Sequence, residues 1–169
     1  MATSLRWTSA DLELLPDPLD DKRYEIIDGE LYVAKQPSFQ HQFVCTQAAR
    51  LLQNWCDETG AGIALIAPGL IFTPDENVAP DVVWLSPQTL PHALGPDGKL
   101  HAAPNLVIEV LSPGEANERH DREAKLGLYS RRGVREYWIV DWQERRVEVY
   151  RWWQTAQRLE STLLEGDEV

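Results

Sequence analysis

The stretch Asn105-Leu106-Val107-Ile108-Glu109-Val110-Leu111-Ser112-Pro113 decides how the rest of this sequence is read. Leu106, Val107, Ile108, Val110 and Leu111 form a near-continuous apolar run, the pattern of a β-strand covered on both faces. Glu109 interrupts it. An ionised carboxylate without a partner in such a setting costs several kcal/mol, so it must be neutralised, paired or bound to a metal. Upstream, Pro80-Asp81-Val82-Val83-Trp84-Leu85 reads as a second strand, entered through a carboxylate. Two carboxylates on neighbouring strands make a site for a hard, oxygen-seeking cation.

The chain around these strands has 169 residues, 43% hydrophobic and 25% charged. That length buries roughly 70% of the surface exposed by the unfolded chain, and one domain over 1–169 is the expectation. The composition is that of a soluble globular protein, not a disordered or collagen-like one. No apolar stretch reaches the length of a membrane span, and residues 1–6 lack the apolar segment of a signal peptide, so a cytoplasmic location is expected. Cys45 and Cys56 fall in one predicted helix, roughly 16 Å apart along its axis. They cannot bridge to each other there, and two cysteines are too few for a zinc cluster built on thiolates. The net charge of −11 argues against a broad basic surface and non-specific nucleic-acid binding. Much of it reads as solvated acidic surface, including the tail at 165–168.

In chain order, Thr8 caps a short helix with Asp11 in its first turn, stopped by Pro16. Tyr24 to Ile27, Asp28-Gly29 and Glu30 to Val33 form a hairpin, because Asp-Gly supplies the positive φ angles of a tight two-residue turn. Phe43, Val44, Ala48, Leu51, Leu52 and Trp55 recur at helical spacing over 39–58, and Gly60 is placed to end that helix. Residues 63–67 and 70–73 are short strands about the turn dipeptide Pro68-Gly69. Residues 74–79 read as a loop, and 86–104, rich in Pro and Gly, as a long surface connection. Asn117 is the expected cap of a helix reaching Arg132, ended by Gly133. Residues 136–141 then pair as a strand with 145–152. The strand, helix, strand order implies a parallel pair with a right-handed crossover.

On that last helix Asp121, Lys125 and Tyr129 are spaced i, i+4, i+8 and share a face. The face borders Ala124 and Leu128, which should pack on the sheet, so Lys125 can lean toward Glu109. A lysine beside two metal-binding carboxylates suits phosphodiester hydrolysis. The metal polarises the phosphate and activates water, and the ammonium stabilises the developing negative charge.

Here the chain resembles a known family. Pro80-Asp81, Glu109 in Val107-Ile108-Glu109-Val110-Leu111-Ser112-Pro113, then Asp121, Lys125, Tyr129 and the run from Gly133 to Asp141 look like the bacterial putative restriction endonucleases of the PD-(D/E)XK superfamily. The run from Arg23 to Leu31 and Ser38-Phe39-Gln40-His41-Gln42 match the same family near its N-terminus. The resemblance covers almost the whole chain. It implies an α/β fold with a restriction endonuclease-like αβββαβ core, a mixed sheet and an N-terminal hairpin. It also implies Mg²⁺ dependence, with Mn²⁺ as substitute, and a homodimer. The superfamily's lysine two residues after the second acid is Leu111 here, so Lys125 would take its role from the helix. Similar proteins continue into another strand and a short tail near the point where this sequence stops at Val169.

The expected site therefore has Asp81, Glu109 and Lys125 as catalytic residues, with Asp81, Glu109 and the carbonyl of Val110 holding the metal. Asp121, His41, Glu25 and Tyr129 support it. Plainer readings stand beside these. Glu109 can pair with a buried arginine such as Arg122, and Lys125 can be a solvated helix residue or simply pair with Asp121. His41 can sit on an exposed first turn, and Glu25 can be satisfied across its hairpin. Trp152 and Trp153 read as core or dimer contacts more than as a base-stacking platform. The expected activity is Mg²⁺-dependent hydrolysis of DNA. The alternatives are a non-catalytic dimeric binding or regulatory module on the same fold, and a phosphodiesterase for RNA or small nucleotides.

Overall fold

The computed structural model describes residues 6–15, 22–153 and 156–164. Helix α1 (Ser9–Glu13) starts as its sequence dictates. Thr8 donates from its amide and its hydroxyl to Asp11 Oδ2, each at 2.7 Å, a reciprocal cap on the first turn. Pro16, expected to stop it, and the acidic tail at 165–168 lie outside the described residues.

Strands β1 (Arg23–Ile27) and β2 (Glu30–Ala34) form the hairpin. Asp28 and Gly29 have φ of 53° and 75°, the left-handed pair that a type I′ turn needs and that glycine adopts without a Cβ penalty. Helix α2 (Phe39–Thr59) opens with the Ser38 side chain accepting from the His41 amide and closes on Gly60. Strands β3 (Ile63–Ile66) and β4 (Leu70–Thr73) follow as expected. The loop read at 74–79 instead contains β5 (Glu76–Val78), which pairs with both β1 and β4. A polar Glu-Asn pair carries no strand signal, so the neighbouring strands create this one. Strand β6 (Val82–Leu85) comes next.

The connection 86–104 is not a plain surface loop. It holds the short helix α3 (Leu90–Ala93), and Ala93 and Leu100 are buried. Two apolar anchors pin this Pro- and Gly-rich segment to the core. Strand β7 (Leu106–Val110) is buried at all five positions, as expected of a strand covered on both faces. The crossover that follows begins earlier than Asn117, with α4 (Glu115–Arg119). The Gly114 carbonyl accepts from the amides of Asn117 and Glu118, so the capping place belongs to Gly114. The chain then widens into a π-helical segment (His120–Lys125) and returns to α5 (Leu126–Arg132), ended by Gly133. Strands β8 (Glu136–Asp141), β9 (Arg146–Trp153) and β10 (Ala156–Leu164) complete the chain.

These strands make two sheets, a four-stranded one in the order β2-β1-β5-β4 and a six-stranded one in the order β10-β9-β8-β7-β6-β3. In the larger sheet β7 and β8 are parallel and the other pairs antiparallel, the mixed α/β arrangement expected. One face packs against α5 and the smaller sheet through Leu70, Val83, Val107, Leu128 and Ile139, and the other against α2 through Val82, Ile108 and Val110.

Helix α2 buries only part of the stripe read from its apolar residues: Val44, Ala48 and Leu52 pack half-buried on the core. Phe43, Leu51 and Trp55 are exposed, while His41, Cys45, Ala49 and Cys56 are buried. Small side chains let the helix lie close on the sheet, and the polar contact of His41 with Asp81 fixes its rotation. Trp152 and Trp153 are exposed at 41% and 62%, so the core placement is overturned. Among the described residues no helix is long and apolar enough to cross a membrane.

Candidate metal centre and active site

The antiparallel register of β6 and β7 pairs Val82 with Ile108, and one further step along it sets Asp81 across from Glu109. The Val110 amide donates to Asp81 Oδ2 at 2.9 Å. Asp81 thus sits at the entry of one strand, tied to the strand that carries the second acid. His41 reaches the same oxygen from α2 at 3.1 Å, and Arg23 reaches Oδ1 from β1 at 3.1 Å.

Glu109 takes its partners from the crossover. Lys125 Nζ lies 3.0 Å from Glu109 Oε1, and the Tyr129 hydroxyl donates to the same atom at 2.9 Å. Arg122, the competing partner, turns instead to Glu148 at 2.6 Å. Lys125 also meets Glu25 Oε2 at 3.3 Å and Asp121 Oδ1 at 3.6 Å. It is 4% exposed, so a solvated helix lysine is excluded. The π-helical turn puts Asp121 and Lys125 both inward, a widened turn of the kind that recurs at functional sites.

The plainer readings of His41 and Glu25 fail on burial as well. His41 is buried, not on an exposed turn, and Glu25 is buried with partners outside its hairpin. Its Oε1 accepts from the Ala79 amide at 2.9 Å, and its Oε2 faces His120 at 3.2 Å. Tyr129 and Tyr137 pack with tilted rings 5.0 Å apart below the cluster, and the Tyr137 hydroxyl donates to the Asp121 carbonyl.

One cleft is lined by Arg23, Glu25, His41, Asp81, Glu109 and Lys125, with Val110 and Asp121 also on its wall. The structure therefore gathers every residue singled out in the sequence for the site except Tyr129, which supports Glu109 from beneath. Arg23, Cys45 and His120 were missed. Arg23 shares a strand face with Glu25, two positions on, and Cys45 lies one helical turn after His41; both spacings were visible. Nothing in the sequence points to His120, whose ring packs on Tyr32 at 4.2 Å.

Charge is what distinguishes this cleft. Burial pushes the Glu109 carboxyl up; Lys125 opposes this, but Asp81, Asp121 and Glu25 add to it, and the result lies well above the usual carboxylate range. Asp121 is raised by the same causes. Glu25 is buried too, yet Lys125, His120 and the Ala79 amide outweigh the desolvation and hold it at about 2. Asp81 is likewise held well below its ordinary value, its burial outweighed by His41, Lys125 and the Val110 amide. Desolvation disfavours the Lys125 ammonium, but four carboxylates keep it charged.

With Glu109 and Asp121 ionised, four buried carboxylates face two permanent cations, Lys125 and Arg23, an excess that one divalent cation matches. Among the described residues both partners of Glu109 fall on Oε1. The donor set of carboxylate oxygens with a strand carbonyl suits Mg²⁺ or Mn²⁺.

The family model described as "Uma2: Putative restriction endonuclease" matches residues 9–169. No curated protein matches the chain. Among solved structures, one described as a putative nuclease belonging to DUF820 from Anabaena variabilis superposes with a TM-score of 0.70 at 20% identity, over 92% of this chain and 82% of that one. At that identity the likeness shows the fold.

Proposed function

Because the chain belongs to the Uma2 family, described as putative restriction endonucleases, we propose that it is a Mg²⁺-dependent endonuclease that hydrolyses DNA phosphodiester bonds. In this reading residues 1–169 act as one domain and as a homodimer in the cytoplasm. The observation that carries it is the convergence of Asp81, Glu109 and Lys125, from two strands and a helix, on one buried acid-rich cleft.

Asp81, Glu109 and the Val110 carbonyl would hold the cation. When bound, it supplies a Lewis acid for the phosphoryl oxygen and lowers the pKa of its water. The remaining roles belong to side chains. Lys125 places a fixed positive charge where negative charge builds on phosphorus, a contribution that needs no reorganisation during the reaction. Arg23 and His41 hold Asp81 ionised and oriented, and Tyr129 fixes Glu109 through its hydroxyl. Glu25 and Asp121 hold the Lys125 ammonium in place. Lys125 thereby stands in from the helix for the lysine that Leu111 replaces.

A second reading, a binding or regulatory module without turnover, draws on the net charge of −11, which opposes contact with a polyanion. One experiment separates the two. Mg²⁺ binding by calorimetry is measured on wild type, Asp81→Ala and Glu109→Ala, with DNA cleavage assayed on the same samples. Loss of binding and cleavage together in both variants supports the nuclease. A wild type that binds Mg²⁺ but leaves DNA, RNA and dinucleotides intact supports the module.

A further inference from the structure

Cys45 takes no part in the chemistry above, yet it stands at the edge of the site. It lies one turn after His41 on α2, is 2% exposed, and its Sγ is 3.5 Å from His41 Nδ1. The other nitrogen of that ring, Nε2, is 3.1 Å from Asp81 Oδ2. An imidazole, a thiol and a carboxylate are thus strung together, and one ligand atom from each lies within 4.8 Å of the others.

This donor set differs in kind from that of the acid-rich cleft. Carboxylates and carbonyls select hard cations, whereas sulfur and imidazole nitrogen favour zinc and its neighbours. Tetrahedral zinc with bonds of about 2.0–2.3 Å sets neighbouring ligand atoms roughly 3.3–3.6 Å apart. The His41 to Cys45 and His41 to Asp81 separations already lie close to that range. They use opposite nitrogens of one ring, so metal entry trades one of these contacts for a coordinate bond. The thiol gives its proton to solvent as the sulfur–metal bond forms. A fourth place is left for water or a substrate oxygen, as in zinc sites with three protein ligands.

We propose that His41, Cys45 and Asp81 form a second metal site, selective for Zn²⁺ over Mg²⁺, that shares Asp81 with the hard-cation site. A metal held there withdraws Asp81 from β7, where it now meets the Val110 amide. Zn²⁺ is then an inhibitor that competes with Mg²⁺, and this consequence alone rests on the nuclease reading.

The test uses Co²⁺ as a visible substitute for Zn²⁺ on the full chain. Wild type and the control Cys56→Ser, altered on the same helix outside the cluster, give a cobalt–thiolate charge-transfer absorption that Zn²⁺ bleaches. Cys45→Ser and Cys45→Ala both lose it. No such band in wild type, or a band that survives in either Cys45 variant, overturns the proposal. In the Mg²⁺ cleavage assay, loss of an outer partner alone commonly weakens metal binding 10–100-fold, so Cys45→Ser requires at least about tenfold more Zn²⁺ for equal inhibition. Equal sensitivity of the two proteins overturns the sharing of Asp81. A wild type that shows the band and cuts nothing supports the zinc site and removes the nuclease reading instead.

Discussion

Lys125 Nζ lies 3.0 Å from Glu109 Oε1, with both side chains almost entirely removed from solvent. Burying two charges is favourable only when they meet at close range with their other hydrogen-bonding capacity filled. Tyr129 fills part of that of Glu109, and Glu25 and Asp121 surround Lys125. The acid near the C-terminal end of β7 and the lysine of the crossover helix are thus one structural unit.

Removing the ammonium should therefore damage both function and stability. In Lys125→Met the aliphatic volume is kept while Glu109, Glu25 and Asp121 lose their shared cation. Breaking a buried pair on one side costs about 3–5 kcal/mol, read as a lower urea midpoint. Loss of one preorganised charge lowers kcat roughly 10²–10³-fold. Added Mg²⁺ should stabilise this variant more than wild type, since the cation answers the same excess of negative charge. A variant as active as wild type would remove Lys125 from the chemistry.

Tyr129→Phe isolates the support beneath the site. The ring keeps its tilted contact with Tyr137, and the one loss is the hydroxyl that donates to Glu109. A buried acceptor that loses its donor costs about 1–3 kcal/mol. Mg²⁺ binding, which supplies a new partner for Glu109, should recover part of that loss. Equal Mg²⁺ stabilisation in mutant and wild type, measured by thermal unfolding, would argue against a Tyr129 role in holding the ligand.

How much of this was legible in the sequence follows from what each residue answers to. Strand β7 could be read because an apolar run of that length, broken by a single acid, fits a strand covered on both faces better than a loop or an exposed strand. The hairpin could be read because Asp28-Gly29 fits few turns besides the tight two-residue one. The register that sets Asp81 across from Glu109 follows from strand pairing and was within reach. Helix α2 was legible only in part: Val44, Ala48 and Leu52 do pack on the core, but its most buried positions are His41, Cys45 and Ala49, small or polar, while Phe43, Leu51 and Trp55 face out. Contacts from distant elements decided that rotation. The π-helical turn carries no sequence pattern at all, and β5 is held by its two neighbours and by Glu76 rather than by its own propensity.

Glu76 provides a control away from the cleft. It is buried on β5 and meets Arg132 at 2.6 Å and Arg131 at 3.1 Å, which ties the smaller sheet to α5. Both arginines are more than a third exposed on their side chains, so solvent screens the pairs. Glu76→Gln is expected to lower stability by about 1–2 kcal/mol while leaving Mg²⁺ affinity unchanged. A matching loss of Mg²⁺ binding would mean that the two sheets are coupled to the site.

Acid should act on this protein through Glu25 first. Its carboxyl is held at about 2 against an ordinary 4.5, so the folded state favours the ionised form. That stability is present in full above the ordinary value and is lost as the pH falls from there toward 2, an amount of about 3 kcal/mol. Glu109 and Asp121 are displaced upward. Their sign is opposite: protonation from above the ordinary value favours the folded state, so the acid loss is confined below it. Urea midpoints measured across that range should fall more steeply for wild type than for Glu25→Gln. Parallel curves would show that Glu25 is not the group responsible.

The same upward displacement of Glu109 makes metal binding pH-dependent. A cation that uses Glu109 must displace its proton, and a raised carboxyl keeps that proton to a higher pH than an ordinary glutamate does. Below the raised value, Mg²⁺ affinity should rise about tenfold per pH unit, with one proton released for each ion bound. Asp81, held well below the ordinary range, contributes no such dependence. Calorimetry in two buffers of different ionisation enthalpy counts the protons directly. Glu109→Gln should remove both the proton release and most of the affinity. If Mg²⁺ binds wild type with the same affinity from about pH 5 to 8 and releases no proton, Glu109 is not its ligand, and the cation must be sought on Asp81 and its other neighbours.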